Sequence, residues 1–120
     1  MENAVQILYT GLKTLGVDVY FPRQHRGDCL SPYCVLKLQN KLRFGNFSSN
    51  TRYLDVLCYT PKNDYAKVLD YQHEIESYMK LMQDKLMIRD TGTTTPPYFD
   101  TAVNGWMTSV QYVLYERRKQ

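Results

Sequence analysis

The chain has 120 residues, of which 43% are hydrophobic and 22% charged, and its formal net charge is +3. This length suits one domain that folds without metal or disulfide staples, and the composition excludes a chain that stays disordered. The mild charge does not indicate a protein that neutralises many phosphates, and no apolar run approaches the roughly 20 residues of a membrane-spanning helix. We expect a single domain over residues 1–120 with no membrane segment.

Cysteine and tyrosine usage give two further indications. The cysteines Cys29, Cys34 and Cys58 cannot all pair with one another, and a helical pattern follows the first residues directly, which indicates a reducing interior. Tyrosine occurs 11 times, against one Trp and four Phe. A tyrosine joins an apolar ring to a hydroxyl that tolerates water, which suits either a protein interface or a half-buried strand position.

The first part of the chain predicts a helix, a short strand and a loop. Apolar residues recur at three- and four-residue steps over residues 2–15, which predicts an amphipathic helix that Gly16 ends. The β-branched and aromatic run 17–21 predicts a short strand that Pro22 closes. Residues 23–32 are expected to form an exposed loop.

A hairpin is predicted next. Apolar residues alternate with others over residues 34–39 and again over 51–59, the pattern of strands that are covered on one face. The segment 41–50 between them is rich in polar turn residues. We therefore expect two paired strands joined by a long hairpin tip over residues 41–50.

The strongest helical pattern follows this hairpin. Thr60 and Pro61 have the residue types of a helix start, and helical spacing over residues 65–82 predicts a helix of about six turns. Tyr71 and Tyr78 fall off its apolar stripe, and we expect them to lie on the opposite side, available to another subunit.

The last part predicts a loop between two strands. Residues 86–88 can form a short strand, whereas 90–97 is rich in turn residues and predicts a mobile or binding loop. After the turn Asn104–Gly105, alternation over 106–115 predicts a long closing strand covered on both faces. The element order predicts an α+β fold, a mostly antiparallel sheet with an N-terminal helix and one long helix packed on it.

No catalytic or metal-binding motif is visible in the sequence. The residues that could bind zinc are His25, Cys29, Cys34, Cys58 and His73. They contain no tight CxxC pair, and no motif frames Cys29 and His25 as a nucleophile with its base. The glycines do not cluster into a phosphate-binding loop. We expect no enzymatic activity, no cofactor and no metal.

Four segments together resemble the tail-terminator, or tail-completion, proteins of long-tailed bacteriophages. They are GVDVY at residues 16–20, PYCVL at 32–36, LDVLCY at 54–59, and the Gly105–Trp106 pair that leads into the last strand. The resemblance covers nearly the whole chain and is one of pattern and length. It implies a structural protein of the virion tail or neck, present in the host cytoplasm during assembly.

The resemblance also implies partners. Such a protein joins the last layer of the tail tube as a homo-oligomeric ring, typically a hexamer, and stops tube growth. Its partners are then the tail tube protein and the head connector or head-completion protein, and DNA passes through the ring lumen without specific binding.

The family supplies no catalytic motif to transfer, so the contact residues proposed from sequence are those of loops and off-stripe positions. They are Arg23, His25 and Arg26 in the first loop; Lys41, Arg43, Phe44 and Phe47 in the hairpin tip; Tyr71 and Tyr78 on the long helix; and Thr93, Thr94 and Tyr98 in the loop before the last strand.

Two other functions stay open at the level of sequence. One is a head-completion or connector-layer protein of the same neck. The other, from a different class, is a small nucleic-acid-binding module that uses Arg43, Phe47 and the basic run 117–119.

Overall fold

The computed structural model describes residues 4–24, 27–42 and 50–116. In chain order the elements are α1 (Ala4–Thr14), β1 (Val19–Tyr20), β2 (Tyr33–Leu42), β3 (Asn50–Pro61), α2 (Lys67–Leu86), β4 (Ile88–Asp100) and β5 (Gly105–Glu116). These strands form one sheet in the order β1-β2-β3-β5-β4, in which β1 and β2 are parallel and the other neighbours antiparallel. The predicted α+β class, with both helices packed on a mostly antiparallel sheet, is confirmed.

The main hydrophobic core lies between the helices and one face of the sheet. Alternate residues of a strand point to the same face, and the register places Leu36, Val56 and Val110 in one row across β2, β3 and β5. These side chains are buried together with Leu12 of α1 and Met79 of α2. Full burial of one such side chain contributes about 1.5–3 kcal/mol to the free energy of folding. This row therefore determines which face of the sheet the helices cover.

The first helix ends earlier, and the first strand is shorter, than the sequence predicts. α1 ends at Thr14, and Gly16 follows with a φ of +86°, the left-handed conformation expected of a glycine after a helix. Only two residues of the predicted strand 17–21 form β1, because only Val19 and Tyr20 pair with β2.

The junction between β3 and α2 corrects one prediction. Thr60 and Pro61 do not begin the helix but end β3, where Pro61 lies opposite Gly105 of β5. Pairing with β5 extends the strand to this point, and a proline is tolerated at a strand end. The Thr60 hydroxyl donates to the Asp64 carbonyl at 3.3 Å instead of capping a helix. α2 begins at Lys67, after a turn.

The buried stripe of α2 is narrower than the predicted one. Its buried side chains are Val68, Gln72, Ile75 and Met79. Tyr65 and Leu69, which the spacing assigns to the same stripe, are 54% and 46% exposed. Tyr65 precedes the helix and packs edge-on against Trp106, with ring centroids 4.6 Å apart.

Tyr71 and Tyr78 do not face away from the core, and that prediction is wrong. Both rings are half-buried and pack against the main core. The Tyr78 hydroxyl occupies the space over Gly11 of α1, where an added Cβ would overlap it. The Tyr78 side chain reaches from α2 to α1 here and fills the space that the missing Cβ leaves.

The predicted loop 90–97 is in fact part of β4, a strand of 13 residues at the edge of the sheet. Leu86 ends α2, Met87 adopts a left-handed conformation with a φ of +51°, and β4 starts directly afterwards. The pairing with β5 shifts register between Asp90 and Thr94 and again between Thr95 and Tyr98. Turn residues are tolerated here because some backbone N–H groups of an edge strand, and of a strand with register shifts, make no hydrogen bond to a neighbouring strand.

Candidate functional site

The sheet has a second face that neither helix covers. The residues that alternate with those of the main core point to this side, which we call the open face. At one end of it, Cys29 from the predicted exposed loop 23–32 packs with Tyr33, Tyr59 and Met107 into a small second core, in which all four side chains are at most 9% exposed. Cys29 is 3% exposed, and its backbone N–H donates to the Val103 carbonyl at 2.6 Å. The prediction that both faces of β5 are covered holds at Met107 and Val113 of the open face, which are 7% and 8% exposed, while Ser109 and Gln111 between them are half-buried.

Tyrosines form a row across the open face. Tyr33 of β2 lies opposite Tyr59 of β3, and their rings stack with centroids 4.7 Å apart and an interplanar angle of 11°. Tyr20 of β1 packs edge-on against Tyr33 at 5.6 Å. Beyond Tyr59 the register continues through Met107 of β5 to Tyr98 of β4. We call Tyr20, Tyr33, Tyr59 and Tyr98 the tyrosine row; it crosses the sheet from edge to edge.

A groove of about 500 Å³ opens over β2 and β3 beside this row. It is lined by Phe21, Pro22, Arg23, Tyr33, Val35, Lys37, Leu57, Tyr59 and Val103. We call it the open groove. The walls are aromatic and aliphatic, and the two charged side chains among them, Arg23 and Lys37, are both positive and exposed.

The hydroxyls of Tyr33 and Tyr59 stay protonated over a wide pH range, because burial raises the pKa of each. Burial raises the pKa of Tyr59 to about 12, with a further rise from the negative charge of Asp100. Burial likewise raises the pKa of Tyr33, helped by the neighbouring hydroxyl of Tyr59. At neutral pH both are therefore uncharged, and with 2% and 9% of their surface exposed they form the buried floor of the open groove.

A polar row crosses the open face next to the groove. Lys37 lies opposite Asp55, and Asp55 lies opposite Gln111. The Asp55 carboxylate accepts hydrogen bonds from the side-chain amides of Gln39 at 2.5 Å and Gln111 at 3.4 Å. Asp55 is thus engaged within the sheet, and Lys37 remains exposed at the groove.

One edge of the sheet is open. β1 pairs only with Cys34 and Val35 of β2, so from Leu36 to Leu42 the outer edge of β2 meets no other strand of the described chain. A free strand edge carries unpaired N–H and C=O groups that can accept a strand of a partner.

A second hollow, of about 400 Å³, lies between α2 and the edge formed by β4 and β5. It is lined by polar side chains, among them His73, Glu76 and Asp90. The His73 imidazole and the Glu76 carboxylate are 4.0 Å apart, and the histidine side chain is 76% exposed. Nowhere in the described ranges do three His, Cys, Asp or Glu side chains come together as a metal ion would require.

The cysteines are buried thiols. Burial raises the pKa of Cys29 to about 11 and that of Cys34 to about 12, and it also raises the pKa of Cys58. Cys34 and Cys58 lie opposite each other on β2 and β3, within the main core. The Tyr71 hydroxyl, which is buried without a hydrogen bond of good geometry, lies near Cys34 and lowers the pKa of its thiol slightly against the effect of burial.

The structure brings together some of the contact residues proposed from sequence. Arg23 lines the open groove, Tyr98 belongs to the tyrosine row, and Thr93 and Thr94 are exposed on β4 rather than in a loop. Lys41 lies in β2, opposite Arg52, and not in a hairpin tip.

The remaining proposed contacts divide into two groups. Tyr71 and Tyr78 pack against the main core. The others lie outside the described residues: His25, Arg26, Arg43, Phe44 and Phe47.

Sequence reasoning missed the stacked pair Tyr33–Tyr59. The alternation over residues 51–59 puts Leu57 and Tyr59 on the opposite side from Leu54, Val56 and Cys58, and this is the signal in the sequence for the surface. The alternation does not determine the register between strands, and it is the register that puts Tyr59 opposite Tyr33 and Met107.

Comparisons with protein families and with curated proteins identify no relative of this chain. No protein-family model matches the chain, and a search of curated proteins found no match. Within the described residues no helix is long and apolar enough to cross a membrane. A proposal for function therefore rests on the sequence pattern and on the geometry of the open face.

Proposed function

We propose that this chain is a structural virion protein that forms a ring at the head-proximal end of the tail tube of a long-tailed bacteriophage. In this role it ends tail growth and joins the tail to the head connector. Its partners are further copies of itself, the tail tube protein and a connector or head-completion protein, and its place is the virion neck after assembly in the host cytoplasm. The likeness of the sequence pattern to tail-terminator proteins supports this proposal.

The observation that carries the proposal is the open face. On this face a groove lined by Pro22, Val35 and Leu57, above the buried pair Tyr33–Tyr59, presents apolar area that a partner protein can cover. Tyr98, which is 46% exposed, extends this surface to the edge strand β4. Tyrosine rings contribute contact area at low entropic cost and tolerate water before assembly, as a subunit that is first free and then bound requires.

Charge is compatible with a ring around DNA. The formal net charge is +3. Tight binding of DNA needs many phosphate contacts by Lys and Arg, and such contacts in a lumen would hold back the DNA that must pass through it.

The size of the purified chain, alone and with purified tail tube protein, tests the proposal. We expect light scattering to detect a ring-sized species, either from the chain alone or on tube ends, and electron microscopy to find tubes that no longer elongate. A chain that stays monomeric and leaves tube elongation unchanged would rule the proposal out. Density for the chain in the connector layer of an intact virion, away from the tube end, would instead identify a head-completion protein.

A further inference from the structure

Two surface features of complementary chemistry lie at different places on the sheet. One is the open groove over β2 and β3, with the stacked rings of Tyr33 and Tyr59 in its wall. The other is a proline pair on the edge strand β4, where Pro96 is exposed and Pro97 half-buried. This pair lies in the register shift between Thr95 and Tyr98, where β4 departs from regular pairing with β5. We call residues 95–98 the proline ridge.

We propose that the proline ridge of one copy of this chain docks into the open groove of a second copy. This inference rests on the proposed function, because a ring requires a contact between two different surfaces of the same chain. It goes further by assigning those two surfaces.

The chemistry of the two surfaces matches. Proline has a fixed φ and loses little conformational entropy on binding, which is why aromatic-lined grooves are used to bind proline-rich segments. The groove offers the exposed ring of Pro22 and the half-buried side chains of Phe21, Val35 and Leu57, above a floor formed by the buried rings of Tyr33 and Tyr59. Its volume of about 500 Å³ falls within the range of sites that enclose small ligands, about 300–1,000 Å³.

Charge favours the same pairing. The groove lining contains the cations Arg23 and Lys37 and no carboxylate. The carboxylate nearest to the proline ridge is that of Asp100, and no cation lies between the ridge and it. Asp90, at the other end of β4, faces the hollow beside α2. The Asp100 of the same copy lies near Tyr59 and raises its pKa, so the positive end of the groove is the one formed by Arg23 and Lys37.

The ridge of a copy cannot fill that copy's own groove. Strands β3 and β5 stand between β2 and β4 in the sheet. At the usual strand spacing this separates β2 from β4 by roughly 14 Å. The contact must therefore be made with another molecule, and because ridge and groove are different surfaces, each copy can donate its ridge to one neighbour and receive the ridge of another. Such a head-to-tail contact closes into a ring when its rotation allows.

A synthetic peptide with the sequence of residues 90–100 tests the contact without relying on ring formation. The peptide is titrated into the isotope-labelled full chain and followed by nuclear magnetic resonance. We expect shifts at the backbone amides of Arg23, Val35 and Lys37, and we expect no such shifts from a peptide in which Ser replaces Pro96 and Pro97. The variant Lys37→Glu should bind the first peptide roughly fivefold more weakly or worse, because it places a negative charge beside the acidic segment.

The control for Lys37→Glu is Lys85→Glu, which makes the same charge change at an exposed position on α2. This control should bind the peptide like the original chain. Shifts that appear only elsewhere, or equal losses in both variants, would overturn the proposed contact.

Complementation of two full-length variants tests the head-to-tail arrangement. Lys37→Glu disrupts the groove and leaves the ridge intact. The double change Pro96→Ser with Pro97→Ser disrupts the ridge and leaves the groove intact. In sedimentation velocity each should associate more weakly than the original chain, and an equal mixture should form a pair that grows no further, since one groove and one ridge remain intact. Variants that associate as well as the original chain would overturn the proposal, as would a mixture with no pair.

These results separate the contact from the function. Peptide binding and pairing by a chain that does not stop tube growth would keep the contact and remove the tail-terminator function. Tube capping by a chain whose groove does not bind the peptide would keep the tail-terminator function and remove the proposed contact.

Discussion

The Tyr78 hydroxyl lies over Gly11, at the point where α2 passes α1. A glycine inside a helix weakens it by up to about 1 kcal/mol relative to alanine, so a glycine here needs a packing reason. Tyr78 supplies that reason, because its ring fills the space that any Cβ at position 11 would need.

Gly11→Ala is therefore expected to destabilise the fold although alanine is the better helix former. The overlap with Tyr78 forces the ring or α1 to shift, and after the gain in helix propensity a net loss of up to about 2 kcal/mol remains. Urea unfolding followed by circular dichroism measures this loss. Adding Tyr78→Phe should recover part of it, because the hydroxyl is the atom nearest to the new Cβ. A Gly11→Ala chain more stable than the original would contradict the close approach.

The thiols are expected to be unreactive in the folded chain. Cys29, Cys34 and Cys58 are all buried, and burial raises the pKa of each, so little thiolate forms and reagents cannot reach it. Ellman's reagent at neutral pH should label none of the three rapidly, and all three after unfolding in urea. Fast labelling of Cys29 in the folded chain would instead revive it as a candidate nucleophile.

Stability is expected to fall in alkali. The pKa of Cys29 rises from the ordinary value of 9.0 to about 11 on folding, and that of Tyr59 rises from 10.0 to about 12. Between the ordinary and the raised values the unfolded chain releases protons that the folded chain keeps, so the free energy of unfolding decreases as the pH rises. Below about pH 9 these groups are protonated in both states and contribute no pH dependence.

Urea unfolding at a series of pH values measures this decrease. Tyr59→Phe keeps the ring and removes one of the titrating hydroxyls, so its stability should decline less steeply above the ordinary tyrosine value of 10.0. A free energy of unfolding that stays constant from pH 9.0 to about 11 would show that the thiols and tyrosines are not buried as described.

Two half-exposed tyrosines allow a matched test of the open face. Tyr98 lies on the open face and is 46% exposed, whereas Tyr65 lies on the helix side and is 54% exposed. Tyr98→Ala should weaken association with a second copy roughly fivefold or more, because an aromatic side chain at the centre of a contact carries much of its affinity. Tyr65→Ala should leave association unchanged, although it removes packing against Trp106. Equal effects of the two changes on sedimentation would argue against the open face as the interface.

The parts of the fold that follow from periodicity could be read from the sequence. Alternation identified the core side of β2 and β3, including Cys34 and Cys58, because one face of each strand is covered by helices and the other is not. The class and order of the elements follow from the same patterns.

The parts that depend on tertiary partners could not be read in this way. Thr60 and Pro61 have the types of a helix start, yet pairing with β5 carries β3 through them. The turn-rich run before Tyr98 became strand because β5 offers a partner at the sheet edge, where register shifts absorb Gly92 and the prolines. Tyr78 lies off the apolar stripe of α2 but meets α1 through a glycine, a contact that no periodicity of α2 alone contains.

The candidate site was predictable only in outline. Arg23 and Tyr98 were proposed as contacts, and both lie on the surface that carries the proposal. The open groove and the stacking of Tyr33 on Tyr59 depend on the register between β2 and β3, which a single sequence does not specify.

The two edges of the sheet differ in how well they can pair with a strand of another copy. This difference limits how many copies can join into one continuous sheet. Strand β4 is interrupted by two register shifts and a pair of prolines, whereas β2 continues past the two residues of β1 with a free edge in the described chain. Pairing through that edge can join two copies edge to edge, but no third copy can add to the outer β4 strands of such a pair, because their register shifts and prolines interrupt regular pairing. The chain is in this respect resistant to fibre formation, and any closed assembly of more than two copies must be held together by side chains rather than by one continuous sheet.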